Sequence, residues 1–161
     1  MSHLSRDHPE ALARCTRCGA TVPGGTEGCW KLFQEVLALE YSDPAYGAVH
    51  LLTVDAHALQ HPEDHGPGSN AFHLLRLCTL LEYGGDPGIG HNLKWLQAQV
   101  DGNRKAPYLE PPAGRGKVTT AHVHGAASPE EHAERVYGWA RSVWEAWSDH
   151  HDWAHKWLRE K

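Results

Sequence analysis

From residue 30 onward the apolar positions of this chain fall at three- and four-residue steps. Trp30, Phe33, Val36, Leu37 and Tyr41 line one side of a segment whose Glu35 and Glu40 lie on the other, which predicts an amphipathic helix. Ser42-Asp43-Pro44 stops it and starts the next, with Asp43 as N-cap and Pro44 in the first helical position. That second helix is expected to run from Pro44 to Gln60 on Val49, Leu52 and Leu59, ending before Pro62. The segment His61 to Ser69 is a loop by composition. Ser69 or Asn70 then caps a third helix, whose Phe72, Leu74, Leu75, Leu77, Cys78, Leu80 and Leu81 are apolar nearly all round, as a central element requires; Gly84-Gly85-Asp86-Pro87 ends it.

Periodicity fades from about 86 to 127. A short helix around Leu93, Trp95 and Leu96 fits His91 to Val100, Pro107 to Gly116 reads as extended coil, and Lys117 to Val123 as a short strand or a surface traverse. Helical signal returns at Ser128-Pro129-Glu130-Glu131, with Ser128 as N-cap, Pro129 at N1 and Glu131 at N3. One continuous last helix follows on Val136, Trp139, Ala140, Val143, Trp144, Trp147, His151, Trp153, Ala154 and Trp157. No repeat of 20 to 50 residues is present. The expected architecture is all-α: an antiparallel helical bundle of four or five helices, with an N-terminal cysteine-rich knuckle and a long irregular connection before the last helix. Residues 1–29 form the leader and knuckle and residues 30–161 the bundle, within one domain overall.

At 161 residues and 40% apolar content the chain is long enough to bury a core. A formal net charge of −5 and the lack of a run of five or more Lys and Arg argue against a nucleic-acid partner. A membrane partner is excluded because His50 and Arg76 interrupt the longest apolar runs, which fall short of the roughly 20 residues a span needs. Residues 1–12 lack an apolar signal segment, so the expected location is cytoplasmic, where thiols stay reduced.

Three of the four cysteines, Cys15, Cys18 and Cys29, lie within fifteen positions, on a stretch read as too glycine-rich for helix or strand. Cys-x-x-Cys turns two sulfurs toward one point, and Zn²⁺ needs two further nitrogen or sulfur donors. Cys29 supplies one. Cys78 lies in a helix core, so the fourth donor is sought among the fourteen histidines. The alternative, a redox dithiol, wants a strand-helix-strand context that is absent. Because the first two helices are joined too tightly to be anything but antiparallel, counting back at about 1.5 Å per residue puts His57 level with Cys29 and His61 one turn beyond. His50 falls on the same stripe, and His73, in the first turn of the third helix, lies at the same end. Asp55 is placed to orient a ligand histidine from behind. His151 and His155 form an i, i+4 pair without the glutamate of the His-Glu-x-x-His signature.

Cys15-x-x-Cys18-Gly19, Gly28-Cys29-Trp30, the block from Val54 to Pro62, His73-Leu74 and the ending from Trp147 to Trp157 resemble the bacterial domain-of-unknown-function family 5946, over about residues 15 to 157. The resemblance implies functional positions at Cys15, Cys18, Cys29, Asp55, Gln60, His61, His73 and His150 or His151. It also implies a tyrosine where this chain has His57, which favours His61 as the fourth ligand. It lends no activity.

The expected function is a small zinc-binding helical protein with Cys15, Cys18, Cys29 and His61 on the ion and Asp55, His57, Gln60, His73 and His151 in the surrounding pocket. Closed by four protein ligands, such an ion is structural; with water in the fourth place it supports hydrolysis, and an exposed thiolate would attack an alkyl donor. The rival is a metal-dependent enzyme, a hydrolase or a DinB-like thiol or alkyl transferase, using His61, His73 and His151. The tryptophan-rich last helix suits a homodimer interface as well as a core. The sequence names no substrate.

Overall fold

The computed structural model describes residues 10–84 and 93–160. Of the expected features, the leader before residue 10, the stop at Gly85-Asp86-Pro87 and His91 at the head of a short helix lie outside the described residues. The chain is mostly helical, with α1 (Gly25–Ser42), α2 (Pro44–Gly47), α3 (His50–Gln60), α4 (Ser69–Glu82), α5 (Leu93–Asp101), α6 (Thr120–Val123), α7 (Pro129–Ala146) and α8 (His151–Arg159), and one small antiparallel hairpin, β1 (Leu12–Arg14) with β2 (Thr21–Pro23).

Several boundaries differ from expectation for identifiable reasons. The cysteine segment is not plain coil: Cys15 and Cys18 sit on the turn of the hairpin, and Cys29 lies inside α1, which starts five residues earlier than the apolar pattern suggests. Gly28 is helical, and its missing side chain lets the hairpin close on α1, since a Cβ there would lie 1.7 Å from the Pro23 carbonyl oxygen. The expected second helix is two. Asp43 does cap α2, its Oδ1 accepting the Ala45 amide at 2.9 Å, but the helix breaks after Gly47, where a Cβ would come within 2.6 Å of the Glu40 carbonyl oxygen. Neither Ser69 nor Asn70 caps α4. Gly68 holds that place, and Asn70, buried, donates to the Leu109 carbonyl at 3.1 Å. The suggested strand at 117–123 contains the helical turn α6, closed by a capping box between Thr119 and His122. The last helix is also broken: a 3₁₀ turn at Ser148–His150 separates α7 from α8, so His151 opens a new helix. Ser128 caps α7 as expected, accepting the Glu131 amide at 3.1 Å.

Glu40, read as a solvent-facing residue, is buried. Its carboxylate binds His50 Nδ1 (2.9 Å), Thr53 Oγ1 (2.7 Å) and His132 Nε2 (2.7 Å). Since Cys29 near the start of α1 meets His61 at the end of α3, and Glu40 near the end of α1 meets the start of α3, these two helices run antiparallel. Helix α7 runs in the same direction as α3. Glu40 bridges Thr53 and His132, while Gln60 Oε1 accepts the Trp139 indole N–H at 2.8 Å; each step is seven residues, about 10.5 Å of helix. The connection after α5 passes the end of α3, where Gln60 donates to the Arg115 and Val118 carbonyls, before α7 begins beside Glu40.

The main core lies between α1, α3, α4, α7 and α8. Trp139, Trp147, Leu59, Leu74, Leu75, Leu77 and Leu158 are fully buried there, and Trp144 and Trp157 nearly so. A smaller cluster of Cys15, Cys18, Ala20, Val22 and Cys29 lies between the hairpin and α1. Among the described residues no helix is long and apolar enough to cross a membrane.

Candidate metal centre

The hairpin turn is built to present sulfur. The Cys15 amide donates to the Ala20 carbonyl at 2.7 Å and the Gly19 amide to the Cys15 carbonyl at 3.0 Å. Gly19 has φ +82°, a left-handed conformation that side chains rarely adopt, and the Arg14 guanidinium lies over it. Thr26, in the first turn of α1, fastens the turn from below by accepting the Thr16 amide at 3.0 Å. This turn aims the Cys15 and Cys18 sulfurs at α1, where Cys29 meets them. Histidine 61 arrives from the other side, as the residue that ends α3.

One donor atom from each of Cys15, Cys18, Cys29 and His61 lies within 4.8 Å of every other, and all four residues are buried. Cys18 Sγ is 3.7 Å from Cys29 Sγ, Cys29 Sγ is 3.5 Å from His61 Nε2, and Cys15 Sγ is 3.8 Å from the same nitrogen. A tetrahedral zinc, with Zn–S of about 2.3 Å and Zn–N of about 2.0 Å, has S···S edges of about 3.8 Å and S···N edges of about 3.5 Å. Three of the six donor separations therefore match the edges of such a tetrahedron, and the other three lie within 4.8 Å.

The histidine also has the right face forward. Its Nδ1 donates to the His57 carbonyl at 2.8 Å, which places the ring proton there and leaves the Nε2 lone pair directed at the sulfurs. The Ala20 amide donates to Cys18 Sγ at 3.5 Å, partly neutralising thiolate charge. Hydrogen bonding from Cys29 holds the Cys18 thiol at about 4 against the opposing effect of burial, and the same contact, with burial, pushes Cys29 up. Burial would lower the His61 pKa, but its contact with Cys18 and its bond to the His57 carbonyl raise it.

The other expected pocket residues separate. His57 lies closest: its ring is sandwiched between Phe33 (centroids 3.5 Å) and His61 (3.9 Å), and its Nε2 is buried without a partner. Burial, then the neighbouring His61 and His65, pushes its pKa down to about 2, so the ring is neutral. It shares with His61, Thr26, Trp30 and Asp64 a cavity of about 210 Å³. Asp55 does not orient His61. It accepts from His73 Nδ1 (2.8 Å) and from Arg76 Nη2 (2.7 Å) and Nε. Gln60 is a structural clamp whose amide donates to the carbonyls of Arg115 (2.9 Å) and Val118 (2.7 Å). His50 belongs to Glu40, and His151 stacks on Trp144 at 3.7 Å and bonds its carbonyl at 2.7 Å. His61, His73 and His151 thus do not converge on one ion, which removes the three-histidine arrangement.

Sequence reasoning missed the irregular connection's part in the site. Arg115 pairs with Glu63, donates to the Arg17 carbonyl at 3.0 Å and so pins the connection against the turn. With Arg14, Arg17 and Lys117 it borders a cavity of about 780 Å³ beside Cys15 and Cys18. These cations are dispersed in sequence and only folding assembles them.

The model of a family described as of unknown function, DUF5946, matches residues 13–148, a span containing all four clustered donors. No curated protein and no solved structure matches the chain. The resemblance seen in its cysteine and histidine blocks holds, and the chain belongs to this family.

Proposed function

We propose that this member of the DUF5946 family is a zinc protein whose ion, held by Cys15, Cys18, Cys29 and His61, fastens a binding hairpin to an all-α scaffold. The observation that carries the reading is the match between the observed donor separations of 3.5, 3.7 and 3.8 Å and the edges of a zinc tetrahedron. Three thiolates and one imidazole select a borderline-soft ion, and four protein ligands leave no place for an activated water. Metal hydrolysis is therefore not the role of this centre. Attack by a zinc-bound thiolate is disfavoured as well, because all three sulfurs are buried. The test is elemental analysis and X-ray absorption on untagged protein. One zinc per chain at this centre with three sulfur neighbours and one nitrogen is expected; a shell containing oxygen would overturn the closed site.

A binding role draws on the cavity above the turn. Among the described residues Arg14 and Lys117 have neither hydrogen bond nor ion pair, and Arg17 Nε, 3.5 Å from Asp64 Oδ1, makes no hydrogen bond. In a chain of net charge −5 the uncommitted Arg14 and Lys117, beside the ion-paired Arg17 and Arg115, suit an anionic ligand. Calorimetry with inorganic pyrophosphate tests it. Salt-dependent binding that is lost in Arg14→Ala is expected, and binding unchanged in that variant would defeat the assignment.

A further inference from the structure

A second cluster of metal-ligating side chains lies away from the hairpin, where α4 packs on α8. Cys78 and Glu82 are four residues apart on α4 and so share a face, and His155 reaches them from α8. One donor atom from each lies within 4.8 Å of the others, and His155 Nε2 is paired with Glu82 Oε2 at 2.5 Å. We infer that Cys78, Glu82 and His155 form a second, open site for a borderline divalent transition ion such as Zn²⁺ or Co²⁺, with its remaining position facing water.

The burial gradient supports an open site. Cys78 is wholly buried, whereas the Glu82 and His155 side chains are 36% and 28% exposed. An ion seated on this triangle has protein on the sulfur side and solvent on the other, unlike the enclosed Cys₃His centre. One thiolate, one imidazole and one carboxylate make the mixed donor set that such ions accept.

Two simpler roles account for less. A carboxylate–imidazole pair explains Glu82 and His155 but leaves the adjacent sulfur unused. A cysteine-nucleophile triad requires an accessible, acidified thiol, and Cys78 has neither property: burial raises its pKa to about 12. A bound cation supplies the charge that burial withholds, so the Cys78 thiol proton passes to solvent as the Sγ–metal bond forms. The geometric adjustment is small. A zinc tetrahedron needs an N···O edge of about 3.3 Å, which the half-exposed Glu82 carboxylate reaches by rotating away from His155 by less than about 1 Å.

The experiment is a Co²⁺ titration of the full chain after its cysteine centre has been filled with Zn²⁺. The wild type should take up one further ion, with a charge-transfer absorption of single-thiolate strength. His155→Ala and Glu82→Gln, both at the surface, should lose that second ion and keep the first. Cys78→Ala should lose the charge-transfer band. Zinc analysis of each protein before the titration reads the first site by itself, which separates failure of this inference from failure of the first site. A wild type that takes up no further ion, or a His155→Ala variant that binds it as tightly as wild type, would overturn the assignment.

Discussion

Helix α1 is tied to α3 twice, near its start through Cys29 and near its end through Glu40, by two different kinds of chemistry. At the Glu40 end the polar groups satisfy one another: a carboxylate accepts from two histidines and a threonine at 2.7 to 2.9 Å. At the Cys29 end the contacts, 3.5 to 3.8 Å long, are the weaker hydrogen bonds of sulfur. The first is complete as protein alone. The second is the arrangement that the proposed ion would complete. Buried polar groups therefore join α1 to α3 by two routes, and on the proposed reading only one of them responds to metal supply.

Removing the ion tests that contrast most severely. Structural zinc contributes on the order of 10 kcal/mol in small domains, comparable with the 5–15 kcal/mol that stabilises a typical protein. A strong chelator, or Cys29→Ser, should lower the thermal midpoint by more than about 20 °C and release the hairpin from α1. Hydrogen exchange should show protection lost first at residues 12–23, while the α1 amides around Glu40 exchange later. If both ends of α1 lose protection together, the two ties are a single cooperative unit and the contrast fails.

Glu40→Ala breaks the other tie. It strands His132 Nε2 and Thr53 Oγ1 in a buried site, and cutting one partner from such a network costs about 3 to 5 kcal/mol. Denaturant unfolding should report that loss while zinc content stays at its wild-type value. A variant that unfolds normally would mean that the network relaxes cheaply.

The two ties also differ in how far they can be read from sequence. Cys-x-x-Cys and Cys29 advertise their chemistry by spacing; counting helical rise from a tight turn narrows the histidine to His57 or His61, and the family resemblance favours His61. Glu40 carries no such mark, because its partner His132 lies 92 residues away and charged residues on amphipathic helices ordinarily face water. Helices were legible wherever apolar residues kept their period, and so was the break at Asp43-Pro44; those after Gly47 and Ala146 were not. The close approaches of the Glu40 carbonyl to Gly47 and of the Pro23 carbonyl to Gly28, which leave no room for a side chain at either glycine, are tertiary facts. Asp55 was expected behind a metal-bound histidine, but it pairs with His73 and with Arg76, which the sequence offered only as an interruption in an apolar face. The parallel course of α7 was hidden because a long irregular connection carries no directional signal.

His57 belongs to neither tie and gives the smallest predicted effect. It is buried as deeply as Glu40, yet its Nε2 has no partner, so it offers a charge nothing to bind. Its folded pKa of about 2 lies below the unfolded value of about 6.5. The sign follows: its contribution is fully present above pH 6.5 and is lost as pH falls, because the unfolded chain takes up a proton that the folded chain refuses. Between pH 7 and pH 5 the loss is about 2 kcal/mol. His57→Phe keeps a ring between Phe33 and His61 and removes the titration. Relative to wild type, the zinc-loaded variant should therefore gain about 2 kcal/mol when unfolding is measured at pH 5 instead of pH 7. A gap between the two proteins that does not change with pH would show that His57 finds a partner when protonated, and that this part of the interior is wetter than its burial suggests.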